Sequence, residues 1–96
     1  MKKSYCVYII TNKRNGTLYI GITSNLPQRM LQHKSRAMPG FASPYGLDRL
    51  VWFEIHGEVT EAITREKQLK GWNRAWKIRL IERANPEWNE LDATIL

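Results

Sequence analysis

Residues 5–11 (YCVYIIT) and 17–22 (TLYIGI) are two runs rich in Tyr, Val and Ile, the first apolar throughout its middle and the second alternating at Leu18, Ile20 and Ile22, and they predict two strands. Between them the polar run NKRNG ends in Asn15-Gly16, a strong short-range hairpin signal. With Asn15 and Gly16 as the central turn residues, Arg14 faces Thr17, and even positions of the first strand share a face with odd positions of the second. Any loop of even length keeps that parity, which puts Tyr8 on the face of Tyr19 and Gly21. In SNLPQRMLQHKSR the period becomes helical: Ser24 or Asn25 caps, Pro27 suits the first turn, and the helix runs to about Lys34. Residues 35–48 carry two prolines and two glycines and read mainly as loop, with room for one short helical turn. RLVWFEIHG is a third strand closed by Gly57. Thr60 then caps a helix reaching about residue 73, with Gly71 as a break. RAWKIRLIERA forms a last helix to about Ala84, stopping before Asn85-Pro86. The expected fold is α/β, an α+β sandwich in which a small antiparallel sheet is flanked by helices, as one domain over residues 1–96.

Composition narrows the class. Ninety-six residues suffice for one core and are too few for two. A hydrophobic fraction of 43% with ten aromatic residues excludes a disordered chain. No run approaches the roughly 20 apolar residues of a membrane helix, so no membrane span is expected. The opening MKKSYCVYIITNKRNG has an apolar stretch of only about six residues and no small-residue cleavage site, unlike a signal peptide. A lone cysteine, Cys6, makes no internal disulfide, which fits a reducing, cytoplasmic compartment, and its place in an apolar strand marks it as a core residue. A net charge of +6 and a pI near 9.8 favour polyanions, nucleic acid or an acidic membrane surface.

Charged groups on otherwise apolar stripes sharpen this. Leu26, Arg29, Met30 and His33 share one face of the first helix, and Ala62, Ile63, Glu66 and Leu69 one face of the second. A carboxylate on a core-facing stripe is costly unless a cation, a metal or donors compensate it. Glu66 has a plain alternative in an i,i+4 pair with Lys70, and Arg29 in lying along a packing edge with its head in water. His33 has the alternative of a structural histidine, and His56 has no partner at meaningful spacing. Gly21 weakens a strand interior and marks a bulge or a close approach. Two phenols, a guanidinium, an imidazole and a carboxylate together suit phosphodiester chemistry.

In that company VYI at 7–9 and YIG at 19–21 resemble the two signature strands of the GIY-YIG nuclease domain. The likeness continues through YIGITSNLPQRMLQH, with Arg29 and His33 at the family's spacing, through EAITREKQLKGW with Glu66, and into LIERANPEW. It is closest to small stand-alone members, rather than to a homing endonuclease or the repair excinuclease. The first motif departs from Gly-Ile-Tyr, reading Cys6-Val7-Tyr8, and keeps the tyrosine. The resemblance implies a three-stranded antiparallel sheet and a one-metal hydrolysis of DNA phosphodiesters. It implies that Glu66 holds Mg²⁺ or Mn²⁺ and that Arg29 stabilises the phosphorane charge. Tyr8 serves as general base or orients the attacking water, aided by His33. Tyr19 positions the phosphate or the metal's water, and Gly21 keeps its strand close to the substrate backbone. Asn85 resembles a further polar position of some members and reads equally as a helix stop.

Lys67, Lys70, Arg74, Lys77 and Arg79 are the expected contacts to DNA phosphates, with little sequence readout; a solvated helix face is their alternative. Trp72 and Trp76 recur at i,i+4, suited to core packing or to base stacking. Specificity would then come from DNA structure, a protein partner or a homodimer. Two rivals stand beside the nuclease: a non-catalytic nucleic-acid-binding module of the same fold, and an interaction protein whose basic face meets an acidic partner.

Overall fold

The computed structural model describes residues 3–35 and 46–95. Its elements are β1 (Tyr5–Thr11), β2 (Leu18–Thr23), α1 (Leu26–Ser35), β3 (Arg49–His56), α2 (Val59–Gly71), α3 (Arg74–Ala84) and a final 3-10 turn (Ala93–Ile95). The three strands form one antiparallel sheet in the order β2-β1-β3, so β1 is central and both later strands are edges. Most of the loop expected over 35–48 lies outside the described residues.

The hairpin keeps the expected parity and shifts the register. Thr11 pairs with Leu18 and Tyr8 with Gly21, two residues from the pairing that an Asn15-Gly16 turn centre implies. The cause is local. Gly16 N–H donates to Lys13 C=O at 2.9 Å and Asn15 takes φ 58°, so Arg14 and Asn15 are the central residues. The Asn12 side chain accepts the Thr17 N–H at 3.1 Å and fills out the loop.

Helix starts follow capping chemistry in two cases of three. Asn25 accepts the Gln28 N–H at 3.2 Å and starts α1, while Asn73 accepts the Trp76 N–H at 2.9 Å and starts α3. The expected Thr60 cap is displaced: α2 already begins at Val59 after an extended Glu58 whose side chain makes no capping bond. Thr60 therefore lies inside the helix, its carbonyl accepting from the Thr64 hydroxyl. Gly71 ends α2, as expected of a residue with weak helix preference.

Because side chains alternate across a strand, β1 feeds two cores. Cys6, Tyr8 and Ile10 pack with Leu26 and Met30 of α1 and with Leu47, Leu50 and Ala93. Val7, Ile9, Ile20 and Val51 pack with Ala62 and Leu69 of α2, Ile81 of α3, and Trp88. The layers are thus α1, sheet, then α2 with α3. Each fully buried aliphatic side chain, such as Leu69, contributes about 2 kcal/mol by leaving water. Cys6 is a free, buried core residue whose thiol burial pushes up, which makes it unreactive.

A bulge sets the outer edge of β3. Ile9 faces Trp52 and Ile10 faces Leu50, which leaves Val51 without a partner on β1. The orphaned Val51 carbonyl accepts a hydrogen bond from the Asn85 amide at 3.0 Å. The same amide donates to Asn89 C=O at 2.9 Å, and its oxygen accepts the Asn89 N–H at 3.0 Å. Leu91 N–H donates to Leu50 C=O at 2.8 Å, and Arg49 Nε to Trp88 C=O at 2.9 Å. The C-terminal segment is laced along an otherwise open edge. Replacing Asn85 by Ala removes three bonds and strands a buried acceptor, so Asn85→Ala is expected to lose about 2 kcal/mol or more in urea unfolding. An unchanged midpoint would contradict this account of the bulge.

Candidate active site

Tyr8 projects from the middle of the central strand onto the α1 face and is fully buried. Its hydroxyl lies 3.0 Å from Nε2 of His33, which α1 carries down from above. The rings of Tyr8, Tyr19 and His33 form a triangle, with centroids 6.4 Å apart between the tyrosines and 5.8 Å from each to the imidazole. Helical periodicity puts Arg29 one turn before His33, on the half-buried flank of the same stripe.

Gly21 explains how two bulky rings fit there. It pairs directly with Tyr8, and a Cβ on it would stand 2.5 Å from both Cζ and the hydroxyl oxygen of that ring. The missing side chain is the space the phenol occupies. The close approach expected at Gly21 is therefore made by Tyr8, a protein group.

Charge is arranged around the phenol. Burial, reinforced by Tyr19 and by the Glu66 carboxylate, pushes the Tyr8 pKa up to about 12, while the Arg29 guanidinium opposes the shift. His33 is held below the ordinary histidine value by burial and by the Arg29 charge, with Asp48 working against them. At neutral pH the hydrogen bond thus joins a protonated phenol to a neutral imidazole. Asp48 had no signal in the sequence, since its influence on His33 arises only when the segment before β3 returns beside α1.

Glu66 enters from α2, on the other layer. Its side chain is 16% exposed and faces Lys70 Nζ at 3.6 Å, so the i,i+4 pair is formed. No group of three or more His, Cys, Asp or Glu residues suited to a metal occurs among the described residues. A lone carboxylate still fits a hard cation such as Mg²⁺, which keeps several waters and shares the rest of its shell with substrate phosphate. It does not fit an ion that needs an all-protein cage.

The other expected contacts are scattered. Lys67 and Arg79 are exposed and Lys77 is half-buried. Arg74 donates to the carbonyls of Asn15 and Gly16, both at 2.7 Å, and so pins the hairpin turn. Asn85 has its amide nitrogen and oxygen bonded to β3 and the C-terminal segment, not turned toward Tyr8. Trp72 packs on the second core, while Trp76 is 50% exposed. His56 sits between Glu54, at 2.8 Å, and Glu61, at 3.9 Å, in a network with Arg65.

Two outcomes follow from this packing. Alanine normally outperforms glycine in a strand, yet Gly21→Ala is expected to destabilise by about 1–3 kcal/mol, because the new methyl meets a buried ring on a rigid strand. Denaturant unfolding of that variant decides it; a neutral or stabilising result would show that the ring has room to move. The pH dependence has two limbs. The Tyr8 contribution is complete below its unfolded value of 10.0 and is lost as pH rises toward about 12. The His33 contribution is present above 6.5 and is lost as pH falls through its lowered value. Stability measured against pH should therefore plateau between these windows, and Tyr8→Phe should remove the alkaline loss attributable to this phenol.

A family model described as the GIY-YIG catalytic domain matches residues 4–79. The chain is similar to a UPF0213 protein of Staphylococcus haemolyticus, 35% identical over 86 residues, which are 85% of this chain and 98% of the relative. It is also similar to a UPF0213 protein of Syntrophus aciditrophicus, 35% identical over 91 residues, covering 91% and 98%. Among solved structures, the solution NMR structure of the UPF0213 protein BH0048 from Bacillus halodurans shares the fold, with a TM-score of 0.57, 24% identity, and coverage of 91% of this chain and 92% of that one.

Proposed function

The chain belongs to the GIY-YIG catalytic-domain family, a nuclease-like family, and from that membership we propose that it is a metal-dependent endonuclease hydrolysing DNA phosphodiester bonds. The observation that carries this reading is electrostatic. The Arg29 guanidinium of α1 and the Glu66 carboxylate of α2 both act on the buried Tyr8 phenol, with opposite sign. A purely structural strand tyrosine has no need of either.

The roles follow from exposure and charge. Arg29 and Tyr19, both only half-buried, are the groups of the α1 face that meet the phosphate. The guanidinium offers paired N–H donors to its oxygens and stabilises charge that grows in the transition state. Tyr8 is sealed from solvent and held protonated, so it is no standing base at neutral pH. Its hydroxyl instead fixes the position of the His33 imidazole, as a positioning residue. Glu66 would hold the divalent cation, Mg²⁺ or Mn²⁺, which when bound supplies Lewis-acid polarisation of the phosphate and a more acidic water. Specificity is read from phosphates and DNA shape rather than base edges.

The test separates the Glu66–Lys70 ion pair from metal binding. Glu66→Ala is expected to abolish Mg²⁺- or Mn²⁺-dependent nicking while the fold persists, because it removes a largely buried carboxylate and the Lys70 it leaves is half-exposed and stays solvated. Lys70→Ala breaks the same pair, is expected to shift stability by about 0.5 kcal/mol or less, and leaves nicking within severalfold of wild type. Calorimetric Mn²⁺ binding, lost in Glu66→Ala and kept in Lys70→Ala, provides a readout independent of turnover. Unchanged nicking in Glu66→Ala would sink the mechanism.

A further inference from the structure

The face of α3 that carries Trp76 lies in the layer opposite α1, away from the Tyr8 cluster. Trp76, Arg79 and Arg83 stand at i, i+3 and i+7 and so share one helix face, with Leu80 between them. Together with Trp72 these side chains line a shallow groove of about 200 Å³, smaller than a pocket for a drug-sized molecule and suited to one planar ring. Trp72 is anchored: it packs on the core and has Arg65 over its ring at 5.4 Å. Trp76 meets it edge-to-face, with centroids 5.8 Å apart and planes at 88°, and half of its surface remains open to water.

The charge around that open indole is of one sign. From Val59 to Ala84 the chain has seven lysines and arginines against three glutamates. Glu82, the only carboxylate of α3, accepts the Trp88 indole N–H at 2.7 Å. No ion pair engages Arg79 or Arg83 among the described residues, and both are exposed. An open aromatic ring flanked by unneutralised guanidiniums complements a ligand that is flat and apolar at one point and anionic on either side. Unpaired nucleotides have that pattern. A duplex does not, because its base faces are stacked inside and only phosphates are offered.

We propose that the Trp76–Arg79–Arg83 face of α3 binds single-stranded nucleic acid, one unpaired base stacking on Trp76 while the arginines take the flanking phosphates. The surface rests on the nuclease reading only for its ligand class. It makes the favoured substrate a DNA with a single-stranded segment, held on α3 while Arg29 of α1 and Glu66 of α2 act beside Tyr8.

The test uses the full chain with a fluorescently labelled oligothymidine and a blunt duplex of equal length, titrated at several salt concentrations. Trp76→Ala is expected to weaken single-strand binding about fivefold or more and duplex binding by less than about twofold. Trp76→Phe keeps a π-face and should restore most of the loss. Arg79→Glu, at an exposed position outside the core, should weaken both ligands and flatten the salt dependence. It carries the test if Trp76→Ala proves unstable. Single-strand affinity indifferent to both Trp76→Ala and Arg79→Glu would overturn the proposal. Displacement of the oligothymidine by polyglutamate at equal charge would overturn it too, in favour of an acidic protein partner. Trp76-dependent binding by a wild type that nicks no DNA would support this surface and sink the nuclease reading. Nicking by a chain whose single-strand binding ignores Trp76 would do the reverse.

Discussion

The phenol of Tyr8 lying over the bare backbone of Gly21 is the contact on which the rest of the site depends. It requires β1 and β2 to pair in one register, because a slip of one residue sends the phenol into the other core. It requires glycine at position 21, because any Cβ would stand 2.5 Å from the ring, well inside van der Waals contact. Once seated, the ring is sealed from water and its pKa rises. A neutral phenol in that position then gives His33 a partner, and α1 is oriented so that Arg29 stands one turn away. The packing and the protonation state of this phenol both depend on one absent side chain.

The central strand divides labour between its two faces. The even side of β1 and α1 hold the phenols, the imidazole and the guanidinium, and the odd side with α2 and α3 holds the larger aliphatic core. From Val59 to Ala84, on the second layer, seven lysines and arginines stand against three glutamates. Some of that charge is internal: Arg74 fastens the hairpin turn and Lys70 neutralises Glu66. Arg79 and Arg83, beside an open indole, make no ion pair among the described residues.

The outer edge of β3 shows how such a thin sheet is protected. The bulge at Val51 leaves a carbonyl with no strand partner, and a single asparagine side chain satisfies it while tying down the segment that follows α3. Trp88, fully buried with its indole N–H on Glu82 and its carbonyl on Arg49, anchors the same segment. In this GIY-YIG family member the edge of β3 is protected by the segment from Asn85 to Leu91.

Local chemistry determined most of the architecture before any contact was known. Alternation and helical period are properties of neighbouring residues, so the three strands, the three helices and the shared face of Tyr8, Tyr19 and Gly21 were legible, as was the stripe joining Arg29 to His33. The same locality explains the small misreadings. An Asn-Gly pair marks a turn without saying which residues are central, and a threonine that can cap does so only if the helix has not already begun before it. What the tertiary structure alone decided is how polar groups distant in sequence spend their bonding capacity. Arg74 and Asn85 look like ligand contacts until the hairpin carbonyls and the Val51 bulge claim them. Lys70 looks like a phosphate contact until it meets Glu66, and Asp48 looks like nothing until the chain returns it to His33. A hydrogen bond or an ion pair is set by three-dimensional distance, and periodicity along the chain has no access to distances between segments.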